Sequence, residues 1–274
     1  MSKIIGDAIV VIGGGVNPPS ASTTAQSGVT YTDGLSGLEP EDISLIAQTV
    51  SNNSQITNTT MAVYYDYKKI HRKISIADQV TISLNGTDYA FDVIGFNHDT
   101  LSNSAPYGEP TATGKAGITF QMHDCFATTY PMNSSDTNVG GWKNSAMCTS
   151  TMATMKNYMS AGGWHTIVKQ VNKPSGLGGG SSSGTEIVSD NCFLLSEIEV
   201  FGSTTYSVSG EGTQYEYYKA GNSKMKRWDD SAYTWWERSP MSGNKYGFCL
   251  VNSSGISYNR GAGSVYGVAF AFCV

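Results

Sequence analysis

The sequence predicts a mixed α+β fold built from short strands, two helices in the main domain and long loops. Charged residues make up only 14% of the 274 residues, whereas glycine occurs 31 times and tyrosine 16 times. This composition favours turns and short strands over long surface helices. Asn85-Gly86 lies between two apolar stretches and is a strong signal for a tight β-hairpin. Apolar residues at helical spacing occur in only a few short segments.

Residues 1–73 are predicted to form an N-terminal segment that serves attachment or assembly. Residues 1–16 have the pattern of one strand, and residues 17–37 have the Pro, Ser, Thr and Gly composition of a linker. A helix is expected over residues 38–50, because acidic side chains such as Glu41 fill its first turn, where the helix dipole favours anions. Its apolar face comprises Leu38, Ile43, Ile46, Ala47 and Val50.

Residues 74–274 are predicted to form the main domain. The Asn85-Gly86 turn is expected to join strands at residues 80–84 and 89–96, and the Gly/Ser-rich residues 173–184 are expected to form a loop. Further strands are predicted at residues 117–122, 248–251, 256–258 and 268–274, and helices at residues 151–159 and 165–171.

Composition and termini exclude several classes of function. The net charge of −5, without a basic stretch among aromatic residues, argues against nucleic acid as a partner. The apolar residues 4–12 are interrupted by Asp7, are too short to span a membrane and lack the features of a signal peptide. We therefore expect synthesis in the cytoplasm, no signal peptide and no membrane insertion. The five scattered cysteines are expected to be buried thiols.

No catalytic residue, metal ligand or cofactor is predicted. His98-Asp99 and His123-Asp124 pair two common metal ligands, but adjacent residues of a strand point to opposite faces. Trp228-Asp229-Asp230 would supply only half of a Ca²⁺ site. The four histidines belong to no triad motif, and the glycines of residues 176–184 lack the Gly-Lys-Ser/Thr ending of a phosphate-binding loop.

The sequence Trp235-Trp236-Glu237-Arg238-Ser239-Pro240 is a dense cluster of aromatic and charged residues. A buried tryptophan needs a partner for its indole N–H, and a buried arginine needs a carboxylate. Trp235, Trp236, Glu237 and Arg238 are therefore predicted to form a rigid structural hub.

The segment after this hub is rich in Tyr, Asn, Ser, Gly and Arg. These are the residues that antibody paratopes use, because rigid amphipathic rings and small polar groups give contact area at low entropic cost. Phe248, Val251, Val268, Phe270 and Phe272 could anchor the segment inward. The pattern therefore predicts a ligand-contacting surface, and the alternative is an ordinary solvated loop.

Six motifs in order resemble a family of gut-bacterial and phage proteins that carry the domain named DUF6273. The motifs are FDVIGFNHD from Phe91, GITFQM from Gly117, TNVGGW from Thr137, FLLSEIEVFG from Phe193, WWERSP from Trp235 and GVAFAFCV from Gly267. The resemblance covers about two hundred residues, from near Ile74 to Val274, and its specificity comes from the ordered combination.

Many such proteins resemble the variable proteins of diversity-generating retroelements, in which adenines in codons of a C-type-lectin-like domain are rewritten. The resemblance implies this fold, which is also that of formylglycine-generating enzymes, with a variable region at about residues 235–274. The WWERSP and VAFAFCV motifs would be fixed, and the interval between them would hold the diversified ligand contacts. Those contacts are Asn244, Tyr246, Leu250, Asn252, Ile256, Tyr258, Asn259, Arg260, Ser264, Val265 and Tyr266. Met241 and Lys245 fit less well, because rewriting adenines of an asparagine codon yields neither Met nor Lys.

The expected function is therefore binding without turnover. The hypothesis is a receptor-binding protein of a phage tail, or an adhesin, that recognises a bacterial surface protein or glycan from the virion or cell surface. A homotrimer or attachment of the N-terminal segment to the virion would raise weak binding by avidity. Two alternatives stay open: a static structural virion protein, and a cysteine-dependent oxidase that would need Cys249 or Cys273 exposed in a cleft.

Overall fold

The computed structural model describes residues 17–102 and 111–274, and strands predominate in these residues. The strands in chain order are β1 Ser20–Ser22, β2 Thr32–Asp33, β3 Ala62–Tyr67, β4 Ile70–Ser75, β5 Gln79–Leu84, β6 Thr87–Phe96, β7 Thr100–Leu101, β8 Ile118–Met122, β9 Val171–Gly176, β10 Thr185–Asp190, β11 Cys192–Phe193, β12 Lys226–Trp228, β13 Ser231–Tyr233, β14 Trp235–Pro240, β15 Gly247–Val251, β16 Ser257–Gly261 and β17 Ala271–Cys273. The helices are α1 Pro40–Ser51, α2 Met152–Tyr158, α3 Glu197–Phe201 and α4 Glu216–Lys219, with a π-helical turn at Met147–Thr151 and a 3₁₀ turn at Trp164–Thr166. The predicted α+β class is confirmed.

The core is organised around a five-stranded antiparallel sheet with the order β11-β17-β8-β6-β5. Phe120 of β8 lies opposite Phe272 of β17, and their rings stack with centroids 5.5 Å apart. Phe91 of β6 packs edge-on against Phe272 at 5.6 Å. Strand β17 thus lies inside the sheet, which fixes the residues that lead into it against the centre of the core.

The predicted hairpin and the strand that follows it are confirmed. β5 and β6 pair along their length, and Asn85 and Gly86 have φ angles of 51° and 86°. Two consecutive positive φ angles define the turn type that Asn-Gly favours, because its twist matches that of the two strands. The strand predicted at residues 117–122 is β8.

The helix predicted at residues 38–50 is confirmed as α1, which begins with a proline at its first turn. Its face of Ile43, Ile46, Ala47 and Val50 is buried. A side chain at Gly117 would place its Cβ 1.9 Å from the carbonyl oxygen of Ala47, so only glycine allows α1 to approach the central sheet this closely. The helix is therefore part of the core.

The N-terminal segment differs from the prediction in two places. Residues 17–37 are more than a linker, because β1 and β2 join the hairpin of β3 and β4 in a four-stranded sheet with the order β1-β3-β4-β2. The predicted boundary between residues 73 and 74 falls within β4. The strand expected in residues 1–16 lies outside the described residues.

Two predictions in the middle of the chain are wrong. Residues 165–171 form no α-helix: a 3₁₀ turn ends at Thr166, and Val171 begins β9. Residues 173–184 are only partly a loop, because residues up to Gly176 belong to β9, which pairs with β10. The helix predicted at residues 151–159 is confirmed as α2.

The last third of the chain forms a β-hairpin of β12 and β13 and a three-stranded sheet with the order β14-β15-β16. The strand predicted at residues 248–251 is confirmed as β15, and the one predicted at 256–258 is shifted to β16. The strand predicted at 268–274 is shorter, and Val268 and Phe270 are buried ahead of β17. In the part of the chain that the structure describes, no helix has the length and hydropathy needed to cross a membrane.

Candidate functional site

The C-terminal three-stranded sheet passes from a buried edge to an exposed one. All six residues of β14 are buried, β15 is buried as the central strand, and β16 alternates between half-buried and exposed residues. Leu250 of β15 lies opposite both Trp236 of β14 and Tyr258 of β16. Residues directly opposite in a sheet share a face, so Tyr258 lies beside the buried Leu250 on one face of the sheet.

The structural hub occupies the buried edge, and its two indole N–H groups find the partners that burial requires. The indole N–H of Trp235 donates to the carbonyl of Lys224 at 2.9 Å. The indole N–H of Trp236 donates to the carbonyl of Tyr130 at 2.9 Å. Both rings are fully buried, so these bonds fix the rings at one orientation.

Arg238 pairs with Glu199 of α3 in a bidentate contact. Its two terminal nitrogens lie 2.5 and 3.1 Å from the Glu199 carboxylate oxygens. The same two nitrogens also donate to the main-chain carbonyls of Leu194, Pro174 and Glu211, at 3.1, 3.0 and 2.8 Å. Every side of the guanidinium is therefore bonded, which is the condition for a stable buried charge.

The ion pair extends into a buried network. Lys173 lies 2.7 Å from Glu199 and 2.6 Å from Asp99, and Tyr215 donates to Asp99 at 2.8 Å. Burial alone would raise the pKa of Asp99, but Lys173 and His98 together outweigh it through charge and hydrogen bonding, and hold that pKa well below its usual value. Burial would also raise the pKa of Glu199, but the charges of Arg238 and then Lys173 act against burial, and the pKa is lowered.

Sequence reasoning missed Asp99, Lys173 and Glu199 as members of this network. One local signal was present for Glu199, since Ser196 and Glu199 form a capping box at the start of α3, a pattern recognisable as S-x-x-E. No comparable signal exists for Lys173 and Asp99, because they are 74 residues apart.

Glu237 behaves differently from its neighbour Arg238. It is fully buried, and neither carboxyl oxygen has a hydrogen-bond partner among the described residues. Burial, followed by the charges of Glu197 and Glu211, raises its pKa well above the usual value. Burial therefore favours the neutral form of Glu237 in the folded protein.

The predicted contact residues are mostly on the surface. Those that are exposed are Lys245, Tyr246, Ile256, Tyr258, Arg260 and Val265. Those that are half-buried are Met241, Asn244, Asn252, Asn259, Ser264 and Tyr266. These twelve residues are hereafter the tail surface.

Leu250 corrects the predicted set. It is fully buried, because β15 is the central strand and its side chain packs between β14 and β16. Leu250 therefore supports the tail surface from beneath and is not an exposed contact.

Two asparagines of the tail surface shape turns. The side-chain oxygen of Asn244 accepts from the N–H of Tyr246 at 2.7 Å, and that of Asn252 accepts from Ser254 and Ile256 at 2.9 and 3.0 Å. Asparagine commonly bonds the backbone two residues ahead in such turns.

The main chain of the tail surface is held by residues 130–138. Asn138 is the principal anchor: its amide donates to the carbonyls of Asn244 and Gly247 at 2.8 and 2.7 Å. Its own N–H donates to the carbonyl of Lys245 at 2.8 Å. Sequence reasoning quoted Asn138 only as part of a motif and gave it no role.

The same arrangement recurs at the other end of the surface. Tyr130 and Tyr266 exchange two main-chain hydrogen bonds of 3.0 and 3.2 Å, and Asn133 donates its N–H to the carbonyl of Ala262 at 3.0 Å. Main-chain bonds do not depend on side-chain identity. The backbone of the tail surface is therefore held at both ends, while six of its twelve side chains are exposed.

The sites considered for metal or thiol chemistry are closed or incomplete. Among the described residues, no group of three or more His, Cys, Asp and Glu side chains could hold a metal ion. His123 contacts Asp92 at 2.9 Å instead of its neighbour Asp124. Cys249 and Cys273 are fully buried as free thiols, and burial raises the pKa of both well above the usual value.

These features describe an α+β protein in which a buried ionic core supports an exposed surface of aromatic and polar side chains. The chain belongs to the family described as "Domain of unknown function (DUF6273)", whose model matches residues 116–274. The match begins later than the resemblance near Ile74, so the hairpin of β5 and β6 lies outside it. No match was found among the curated proteins or the solved structures.

Proposed function

We propose that this chain is a ligand-binding protein that presents the tail surface on a C-type-lectin-like scaffold. In this proposal it acts as a receptor-binding protein of a phage tail or as an adhesin, and recognises a bacterial surface protein or glycan. One observation carries the proposal: the tail surface has outward side chains on a backbone that is bonded to residues outside it. A scaffold of this kind tolerates changes in its contacts without a change of fold.

Exposed apolar area supports the proposal. Tyr246, Ile256 and Val265 are 53%, 61% and 50% exposed, and they lie within 20 residues of one another. Met225, 51% exposed, lies beside Gly255, whose added Cβ would meet its side chain at 3.1 Å. Large apolar side chains left exposed in one segment are a feature of interaction sites.

The exposed aromatic residues are accompanied by a cation. The guanidinium of Arg260 lies 4.4 Å from the centroid of the Tyr258 ring. Arginine and tyrosine are the residues that most often dominate binding energies at interfaces.

The two rival functions are less well supported. An oxidase that uses Cys249 or Cys273 needs a thiolate in contact with substrate, and both thiols are fully buried with raised pKa values. A static virion protein needs no exposed apolar side chains on an anchored backbone. The attachment role of residues 1–73 and a homotrimer remain part of the proposal, and light scattering of the purified protein would measure the oligomeric state.

The proposal can be tested with a variant in which Tyr246, Ile256, Tyr258 and Val265 are all changed to serine, the four-serine variant. Fluorescent protein is titrated onto a panel of whole bacterial cells, and bound protein is measured by flow cytometry. We expect the four-serine variant to lose binding. The control changes Met61 and Ile187, which are 46% and 59% exposed elsewhere, to serine, and should bind like the unmodified protein.

Thermal unfolding of both variants shows whether either change damages the fold. Equal binding by the unmodified protein and a folded four-serine variant would contradict the proposal. Sequencing the gene across a natural population tests the diversified surface separately. Codon variation should concentrate in residues 241–266 and be low in residues 235–240 and 267–274.

A further inference from the structure

The tail surface contains a concavity of about 260 Å³. It is lined by Thr234, Leu250, Asn252, Tyr258, Arg260 and Tyr266. Pockets that hold drug-sized ligands are usually about 300–1,000 Å³. The volume therefore suits a smaller group, such as one ring with its substituents.

Arg260 is the only charged residue that lines this concavity. The guanidinium of arginine stays protonated in proteins, and that of Arg260 donates to the carbonyl of Asn259 at 3.3 Å. None of the ion pairs among the described residues involves Arg260. Arg238 of the same sheet, by contrast, is matched by a carboxylate. Arg260 is thus a positioned cation without an anion.

Two aromatic residues line the concavity together with Arg260. Its guanidinium stacks over Tyr258 at 4.4 Å, and the second wall, Tyr266, packs edge-on against the buried Trp236 at 5.2 Å. The base beneath them, Leu250, is fully buried. Because the walls and base are already packed, binding would require little reorganisation.

Uncharged polar groups complete the lining. The side-chain oxygen of Asn252 is used in its turn, which leaves its amide N–H groups without a partner among the described residues. The hydroxyl of Thr234 makes no hydrogen bond within the same part of the chain. A ligand that fits this concavity therefore carries hydroxyl groups as well as an anion.

We infer that the concavity binds one carboxylate-bearing sugar unit of a surface glycan, with the carboxylate at Arg260 and ring hydroxyls at Thr234 and Asn252. The planar guanidinium donates to both oxygens of a carboxylate. An aspartate or glutamate side chain would satisfy Arg260 but would leave Thr234 and Asn252 unmatched. The overall charge of −5 disfavours dense polyanions, so an isolated carboxylate fits best.

This inference rests on the proposed function and names its ligand class. The probes are immobilised oligosaccharides that end in a uronic or sialic acid, and the same oligosaccharides after reduction of the carboxyl group to an alcohol. An acidic peptide of Asp, Glu and Tyr residues is the third probe. Biolayer interferometry measures affinity for each at low and high salt.

We expect the protein to bind carboxylated oligosaccharides, with affinity that falls as salt increases. Arg260→Gln should lower this affinity about ten- to a hundredfold, as expected for a lost charge-assisted contact. Arg260→Lys should lower it less, because the charge remains while the planar donor pair is lost. Arg227→Gln is the matched control: Arg227 is exposed in β12 and does not line the concavity, so this variant should bind normally.

The inference is overturned if no carboxylated oligosaccharide binds, if reduced oligosaccharides bind equally well, or if only the acidic peptide binds. Whole-cell binding then separates the two proposals. Binding that survives Arg260→Gln but not the four-serine changes would overturn the acidic sugar and leave the proposed function intact. Binding that survives both sets of changes would overturn both.

Discussion

The two outer strands of the C-terminal sheet contain the same types of residue in opposite environments. In β14, Arg238 is fully buried and paired with Glu199, whereas in β16 Arg260 is exposed and stacks on Tyr258. Aromatic residues follow the same division, with Trp236 fully buried and Tyr258 38% exposed. The two environments are about 10 Å apart, because neighbouring strands are spaced by about 4.8 Å. One outer strand holds the structure together, and the other leaves its arginine and tyrosine exposed.

The largest loss of stability is expected when the buried arginine is removed. Arg238→Ala should destabilise the protein by about 3–5 kcal/mol, because Glu199 would keep a buried charge whose main partner is gone. The matched control is Arg260→Ala in the same sheet, which should barely change the unfolding midpoint. Urea denaturation measures both variants. Similar losses in the two would show that the buried and exposed edges are not distinct.

The anchor between the two regions should give an intermediate effect. Asn138→Ala removes the bonds to the carbonyls of Asn244 and Gly247, and the cost of leaving such groups unmatched is about 1–3 kcal/mol. Asn259→Ala is the control, because the Asn259 side chain makes no hydrogen bond within the described residues. Hydrogen exchange should increase at residues 244–247 in the Asn138 variant alone. Unchanged exchange there would mean that the tail surface does not depend on this anchor.

Local signals in the sequence account for the elements that were predicted correctly. Asn85-Gly86 specifies its own turn, and the apolar spacing of α1 specifies its buried face. The prediction also required partners for Trp235, Trp236 and Arg238, and the structure supplies Lys224, Tyr130 and Glu199. Which residues would be those partners could not be predicted, because nothing in the local sequence encodes a distant contact.

The helix predicted at residues 165–171 and the loop predicted at residues 173–184 were wrong because distant contacts, which the local sequence does not encode, decide the structure there. Apolar residues 167, 168 and 171 have helical spacing, but short apolar runs do not distinguish helix from buried strand. Here Val171 pairs with Asp190 of β10. Lys173 and Pro174 have low strand propensity, yet β9 forms because Lys173 is bound by Asp99 and Glu199. Tertiary contacts override local preference in both places.

The pH dependence of stability should distinguish two kinds of buried acid. The pKa of Glu237 is raised in the folded protein, whereas in the unfolded chain it is about 4.3. Above the unfolded value the unfolded chain releases a proton that the folded protein retains, so rising pH destabilises the fold through this group. Glu237→Gln, which stays neutral, should therefore gain stability relative to the unmodified protein between pH 4 and pH 8.

Asp99 should show the opposite sign. Its folded pKa is depressed, so its contribution to stability is present above the unfolded pKa of about 3.9 and is lost as pH falls through the folded value. Asp99→Asn should thus cost more at pH 7 than at low pH. Thermal unfolding of both variants from pH 3 to pH 8 measures this, and parallel curves for Glu237→Gln and the unmodified protein would contradict the raised pKa of Glu237.

The smallest effects on stability are expected at the tail surface. They test most directly whether the exposed part of the C-terminal sheet is dispensable for the fold. Ile256→Ser and Val265→Ser should each change the free energy of unfolding by less than about 0.5 kcal/mol, the usual range for exposed positions. Val251→Ser, in the buried centre of the same sheet, should cost several times more, because it places a hydroxyl in an apolar site and leaves a cavity. Urea denaturation of the three variants measures the contrast. A large loss at Ile256 or Val265 would show that the fold needs these side chains, and a surface of that kind could not vary its contacts freely.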